Sequence, residues 1–266
     1  MKTVVNFYEN YDEEARLTTN NARKIEFITT TSALNNHIEE HHKILELGAG
    51  TGVYSFYYAE KGNAVVATDI TPKHIEIIRQ KLEDKDDRIN LRTEVVNAID
   101  LGQYETEYFD VVLCMGPMYH ITDYNDRNKC IEEALRVLKK DGLLAIAYIN
   151  KHFVLNSVMT RYKKYRTHNF IDKIMDTGVT REGEEECFWT DAYFTSPSDM
   201  ESFIGKFDVE IVDHIGTDGI SPYLGNTIDE MDEEEYNAWI YYILKSCREK
   251  SILGISNHGL LLCKKK

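Results

Sequence analysis

Three glycines at alternate positions, Gly48-Ala-Gly50-Thr-Gly52, directly follow the apolar stretch Lys43-Ile-Leu-Glu-Leu47. This junction constrains the fold more than any other part of the 266-residue chain. A buried strand that turns through glycines into a helix lets the backbone approach a ligand where a Cβ would clash. The helix beyond offers unpaired N–H groups to a carboxylate or phosphate. Asp69 stands 21 residues after Gly48 and closes a second apolar run, Ala64-Val-Val-Ala-Thr68. A carboxylate at that position accepts hydrogen bonds from ribose hydroxyls. Together these features describe a nucleoside-bearing cofactor at the C-terminal edge of a sheet. The third glycine comes one residue earlier than in the G-x-G-x-x-G dinucleotide fingerprint. Glu46, two residues before Gly48, suits a cationic ligand better than a pyrophosphate.

The same rhythm of short apolar runs and helix-period segments extends on both sides. Ile25, Ile28, Leu34 and Ile38 mark a leading helix, and Pro72 opens a helix carrying Ile75, Ile78 and Leu82. Ile89 to Val96 and Phe109 to Cys114 read as a third and a fourth strand. Ile131, Ala134, Leu135 and Leu138 form a helical stripe ended by Asp141-Gly142, and Leu143 to Ile149 is a fifth strand. From 151 to 206 the rhythm breaks into polar and aromatic sequence, which reads as a cap inserted after the fifth strand. Phe207 to Ile215 and Gly259 to Cys263 are two further strands, flanking a helix with Met231, Trp239, Ile240, Ile243, Leu244 and Cys247. The expectation is an α/β, Rossmann-like, doubly wound fold with a mostly parallel seven-stranded sheet and helices on both faces. One domain spans 1–266: an N-terminal helical segment (1–40), a cofactor-binding core (41–150), the cap (151–206) and a C-terminal part completing the sheet (207–266).

The net charge of −14, from 31 Lys+Arg against 45 Asp+Glu, argues against nucleic acid, whose binding depends on neutralising phosphates. The longest apolar run is far too short to span a membrane, and the N-terminus turns acidic by Glu9 without a signal-peptide apolar region. Five scattered cysteines without a C-x-x-C pair read as reduced thiols. A soluble, cytoplasmic protein is expected, with no metal. His37-Ile-Glu-Glu40-His41 matches H-x-x-E-H in form. It lies at the end of the leading helix without a third ligand, so it reads as surface histidines. The basic run Arg161 to Arg166 is either a solvated helix face or an attraction for an anionic small substrate. The acidic runs Glu184 to Glu186 and Asp232 to Glu235 are solvated faces.

Four ordered stretches carry a resemblance: Leu45-Glu-Leu-Gly-Ala-Gly-Thr-Gly52, Val66-Ala-Thr-Asp69-Ile70, Asn97-Ala-Ile-Asp-Leu101, and Phe109 through Met115-Gly-Pro-Met-Tyr-His120. The chain resembles class I S-adenosylmethionine-dependent methyltransferases, strongly over 40–150 and more loosely elsewhere. The resemblance implies S-adenosylmethionine as cofactor, S-adenosylhomocysteine as product, and a small-molecule O, N or S acceptor. By it, Gly48, Ala49, Gly50 and Gly52 line the methionine part beside Glu46, and Asp69 and Ile70 hold the ribose end. Asn97 and Ala98 meet the adenine, and Met115 and Gly116 pass beneath the sulfonium. Many relatives have Asp where Asn97 stands, though Asn both donates to and accepts from an adenine edge. Phe7-Tyr8-Glu-Asn-Tyr11-Asp12 is similar to a segment that relatives fold over the cofactor, so Tyr11 joins the cofactor residues. His120 is the candidate catalytic base, or alternatively a packing residue of its loop. Tyr119 is a candidate pocket wall, and Trp189 and Tyr193 either face the acceptor or pack the cap. Two other functions share these features: a non-catalytic S-adenosylmethionine-binding protein and a nucleotide-dependent oxidoreductase.

Overall fold

The computed structural model describes residues 2–14, 16–85 and 89–266. Helices α1 (Lys2–Asn10) and α2 (Asn21–Leu34) precede β1 (Lys43–Leu47), α3 (Val53–Glu60), β2 (Ala64–Asp69), α4 (Pro72–Glu83) and β3 (Leu91–Val95). Then come β4 (Phe109–Cys114), α5 (Tyr124–Val137), β5 (Leu138–Ile149), α6 (Lys151–Arg161) and α7 (His168–Asp172). Short strands β6 (Val179–Thr180) and β7 (Ala192–Tyr193) lead to α8 (Pro197–Ile204) and β8 (Val209–Gly216). Last are α9 (Gly225–Asp229), α10 (Glu233–Ser246), α11 (Lys250–Ile255) and β9 (His258–Lys265).

Seven strands form one sheet in the order β3-β2-β1-β4-β5-β9-β8. β1 to β5 pair in parallel, and β9 lies antiparallel to both β5 and β8. Parallel strands must be covered on both faces, and the sequence alternates to suit. Leu45, Val112, Leu144 and Leu261 pack with α5 and α8 on one face. Ile44, Val111, Leu143 and Leu260 pack with α2, α3 and α4 on the other. The chain runs outward from β1 to β3 and then returns to β4. The carboxyl ends of β1 and β4 therefore form the switch-point crevice where open α/β sheets bind ligands.

Two boundaries differ from the sequence reading. The α5 stripe ends at Val137 and passes directly into β5, because Leu138 already pairs with Phe109. Asp141, at φ +61°, sits in an irregularity of that pairing, so Asp141-Gly142 bulges a strand instead of ending a helix. The cap is also shorter than 151–206. Met200 and Ile204 of α8 belong to the core cluster of the sheet, whereas Val154, Val158, Tyr165, Phe170 and Phe194 enclose a separate core between α6 and β7. Among the described residues, no helix is long and apolar enough to cross a membrane.

Candidate functional site

The glycine turn is braced against the end of β2. Gly48 and Ala49 donate their N–H groups to the Thr68 carbonyl at 2.9 and 2.8 Å, and Gly50 donates to Asp69 Oδ2 at 2.9 Å. Gly48 has φ +74°, and a Cβ there would lie 2.9 Å from Gly116 Cα and 2.8 Å from Pro117 Cδ. The loops after β1 and β4 thus meet glycine to glycine. Gly50, at φ +55°, turns its open side to a cleft, where a Cβ would touch only the Glu13 side chain, at 3.3 Å. Gly52 does not reach that cleft. Its Cβ would strike Ile78 Cγ1 at 3.0 Å, so this glycine lets α3 close on α4, contrary to the expected place beside the cofactor.

Gly48, Gly50, Asp69, Ile70, Ala98 and Gly116 line the cleft, with His120 and Tyr119 at one side. Glu46, Ala49 and Met115 line a recess that shares Gly48, Gly50 and Tyr119 with it, where Arg16 also stands. Asn97 lies outside both. Its neighbours Val96 and Ala98 face the cleft, so its side chain turns away, and Oδ1 accepts from the Ile99 N–H at 3.3 Å. Of the two residues expected at the adenine, Ala98 lines the cleft, together with Val96, and Asn97 does not.

Asp69 is buried, and its Oδ1 accepts from the Thr71 N–H at 2.8 Å. His74 Nδ1 lies 3.3 Å from Asp69 Oδ2. His74 is only 3% exposed, faces the cleft, and has no hydrogen-bond partner for either ring nitrogen among the described residues. Buried polar atoms are rarely left unpaired, so His74 is a ligand-facing group. The sequence reading misses it, although Pro72 at the start of α4 places His74 in the first helical turn. Glu46 is likewise buried and accepts from the Ser55 hydroxyl. Burial pushes its pKa up to about 8, against the opposing pull of the Ser55 bond.

Helix α1 closes over the cleft. Tyr8 donates its hydroxyl to His120 Nε2 at 2.9 Å, and His120 Nδ1–H donates to the Asp191 carbonyl at 3.0 Å. Both nitrogens are therefore engaged, and burial lowers the His120 pKa to about 4. His120 holds no lone pair toward an acceptor. It clasps α1, the loop after β4 and the cap together, the bonding role expected of it as the alternative to a base. Lys73 Nζ donates to the Glu9 carbonyl at 2.8 Å, Thr3 bonds the Asp191 carboxylate, and Phe7 meets Trp189 edge-on at 6.0 Å. Tyr8, one helical turn after Val4, lines the cleft with it. Tyr11 lies past the helix end, stacks on Phe7 at 5.4 Å, and lines a different cavity instead of the cofactor cleft.

That second cavity has a volume of about 550 Å³ and shares Tyr8, Glu13 and Tyr119 with the cleft. Phe7, Tyr11, Phe153 and Trp189 supply aromatic wall, and Tyr119 stacks toward Trp189 at 6.5 Å. Arg16, Glu26, Asp218 and His258 add a charged side. Arg16 forks Glu26 at 2.9 and 3.1 Å and donates its Nε to Glu13 at 2.6 Å. Tyr193 is not part of this wall. The Arg127 guanidinium covers its ring at 3.6 Å, so Tyr193 fastens the cap to α5. Among the described residues, His37 and His41 join no cluster of possible metal ligands.

Residues 45–146 match the family model of the methyltransferase domain. The chain is 31% identical over 113 residues to a ubiquinone biosynthesis O-methyltransferase of Actinobacillus pleuropneumoniae, a match covering 41% of this chain and 46% of that protein. Erythromycin 3''-O-methyltransferase of Saccharopolyspora erythraea is 32% identical over 114 residues, covering 42% and 36% respectively. The matched region thus spans about half the length of these relatives or less. A solved SAM-dependent methyltransferase structure from Methanosarcina mazei aligns with a TM-score of 0.58 at 18% identity, covering 88% of this chain and 96% of the other, a likeness of fold.

Proposed function

We propose that this chain, matched to the methyltransferase domain over residues 45–146, is a class I S-adenosylmethionine-dependent methyltransferase that moves a methyl group to an oxygen, nitrogen or sulfur atom of a small molecule. One observation carries the reading. The cleft built on the glycine turn and Asp69 adjoins a separate chamber, with Tyr8, Glu13 and Tyr119 lining both. The chamber's size falls in the range of small-molecule pockets.

The residues present fit S-adenosylmethionine. Gly50 leaves open a cradle that a Cβ would fill, His74 is buried beside Asp69 with unpaired nitrogens, and Glu46 is poised to ionise against a cation. When bound, the cofactor supplies an electrophilic methyl group on a positively charged sulfur. In this reading Asp69 and His74 take the ribose hydroxyls, while Ile70, Val96 and Ala98 wall the adenine. Gly48, Ala49 and Gly50 receive the methionine end, with Glu46 opposite its ammonium and Arg16 opposite its carboxylate. Met115 and Gly116 form the floor beneath the sulfur. Tyr119 parts the cleft from the chamber, and Trp189 helps to seat the acceptor.

Methyl transfer gains most from holding the two reactants in line, and it benefits from exclusion of water as charge is lost. Helix α1, clasped by His120 and Lys73, and the cap provide that enclosure. We place the reaction in the cytoplasm, on the five free cysteines, and exclude nucleic acid as acceptor on the net charge of −14. Calorimetry tests the cofactor assignment. S-adenosylmethionine and S-adenosylhomocysteine should bind in competition and NAD should not; binding of NAD alone would overturn it.

A further inference from the structure

β9 runs antiparallel to β5, so its first residue, His258, pairs with Ile149 at the carboxyl edge of the sheet. There it joins the wall of the acceptor chamber. Asp218, 4% exposed, lies behind it. Asp218 Oδ1 accepts from the Ser256 hydroxyl at 2.7 Å and from the His258 backbone N–H at 3.1 Å. Asp218 Oδ2 accepts from His258 Nδ1–H at 2.8 Å. Glu26 Oε2, held by the Arg16 fork, stands 3.4 Å from the same nitrogen. Carboxylates on this side fix the proton on Nδ1 and leave the lone pair on Nε2. Asn257 Nδ2 lies beside the ring, 3.1 Å from Nδ1 and 3.5 Å from Nε2.

We propose that His258, oriented by Asp218, is the base that takes the proton of a phenolic hydroxyl acceptor; this rests on the methyltransferase reading and names the class of its substrate. As the acceptor oxygen bonds the methyl carbon, the carbon–sulfur bond breaks and its electron pair stays on sulfur. The O–H electrons remain on oxygen, and the proton goes to Nε2, giving an imidazolium flanked by Asp218 and Glu26. Burial opposes that charge, but Glu26 and Asp218 outweigh burial and Arg16, and the His258 pKa is raised above its ordinary 6.5. A base of this strength matches a phenol, with a pKa of about 10, far better than an aliphatic alcohol. The ring walls at Phe7, Tyr11, Phe153 and Trp189 suit the same acceptor. Glu26, Asp218 and His258 also satisfy the spacing of a metal site. Arg16 and the Nδ1 proton already offset the carboxylate charge here, which favours a proton over a metal cation as the occupant.

The test screens the wild-type protein with S-adenosylmethionine against catechol, caffeate and 4-hydroxybenzoate, with benzylamine and thiophenol as amine and thiol. A phenol should be methylated, and kcat/KM should rise with pH through an ionisation above 6.5. In His258→Gln, turnover should fall by about 10²–10⁴ and the ionisation should vanish. Cofactor affinity should stay within about threefold, since His258 lies outside the cleft. Nitrogen-15 histidine spectra of the wild type should show the Nδ1–H tautomer and an upward-shifted pKa, which Asp218→Asn lowers. Turnover of the amine or thiol alone, an unchanged pH profile in His258→Gln, an Nε2–H tautomer, or activity abolished by EDTA would each overturn the proposal while methyl transfer stands. Absence of wild-type turnover with every acceptor would overturn the methyltransferase reading itself, and this inference with it.

Discussion

Glu46 is protonated in the free protein near neutral pH, and cofactor binding should expel that proton. Its pKa stands near 8 in place of the usual 4.5, chiefly through burial, with Asp69 adding to the rise and Ser55 opposing it. At pH 6.5, below that value, the protonated form of Glu46 therefore prevails. An ammonium brought against it favours the charged form. Each cofactor bound should then release about one proton. Titration calorimetry in buffers of different ionisation enthalpy reads this number as the slope of apparent against buffer enthalpy. S-adenosylhomocysteine, which keeps the ammonium but lacks the sulfonium, should give the same slope, and Glu46→Gln should bring it near zero. Affinity should also rise about tenfold per pH unit below the Glu46 pKa. A wild-type slope near zero, or an undiminished slope in Glu46→Gln, would refute the placement of the ammonium at Glu46.

The same group makes the free protein sensitive to pH. Because its folded pKa is raised, its contribution to stability is complete below pH 4.5 and is lost as pH climbs toward 8, by about 1.4 kcal/mol per unit. Urea unfolding from pH 5 to 8 should show a shallower decline in Glu46→Gln; equal slopes would mean that Glu46 is ionised in the fold. Gly50→Val should abolish cofactor binding while unfolding remains a single transition, and unchanged affinity would remove Gly50 from the site. Asp69→Ala should lose bonds worth roughly 1.5–3 kcal/mol, about tenfold or more in affinity, whereas a change below twofold would make it a bracing carboxylate only. His120→Gln retains both the donor and the acceptor of the clasp, so turnover should stay within about threefold with an unchanged pH profile. A collapse of about 10² with loss of an ionisation would return the base role to His120.

The sheet was legible because its determinants are local. Buried strands, the glycine turn and Asp69 lie within a few tens of residues, and Asp69 both braces Gly50 and faces the cleft. Misplaced residues failed on direction. Val96 and Ala98 line the cleft while Asn97 is held in the turn that follows β3, and Tyr8 rather than Tyr11 continues the α1 face begun by Val4. Gly52 was right as a glycine and wrong as a wall, since its contact is with Ile78 on another helix. His120 and Tyr193 were drawn off by partners far along the chain, Tyr8 and Asp191 in one case and Arg127 in the other. The same reason hides the His258–Asp218 pair. Forty residues separate its members, and only the antiparallel return of β9 brings His258 to the edge where β1 and β4 end.

The central claim is that a methyl group leaves bound S-adenosylmethionine for a small molecule seated in the neighbouring chamber. Deuteromethyl-labelled S-adenosylmethionine, incubated with the protein and the acceptor panel, tests it by mass spectrometry. The account predicts an acceptor carrying the intact labelled methyl group, formed in step with S-adenosylhomocysteine and reduced to background in Gly50→Val. Cofactor that binds and is recovered unchanged with every acceptor, or S-adenosylhomocysteine that accumulates without a labelled acceptor, would contradict it.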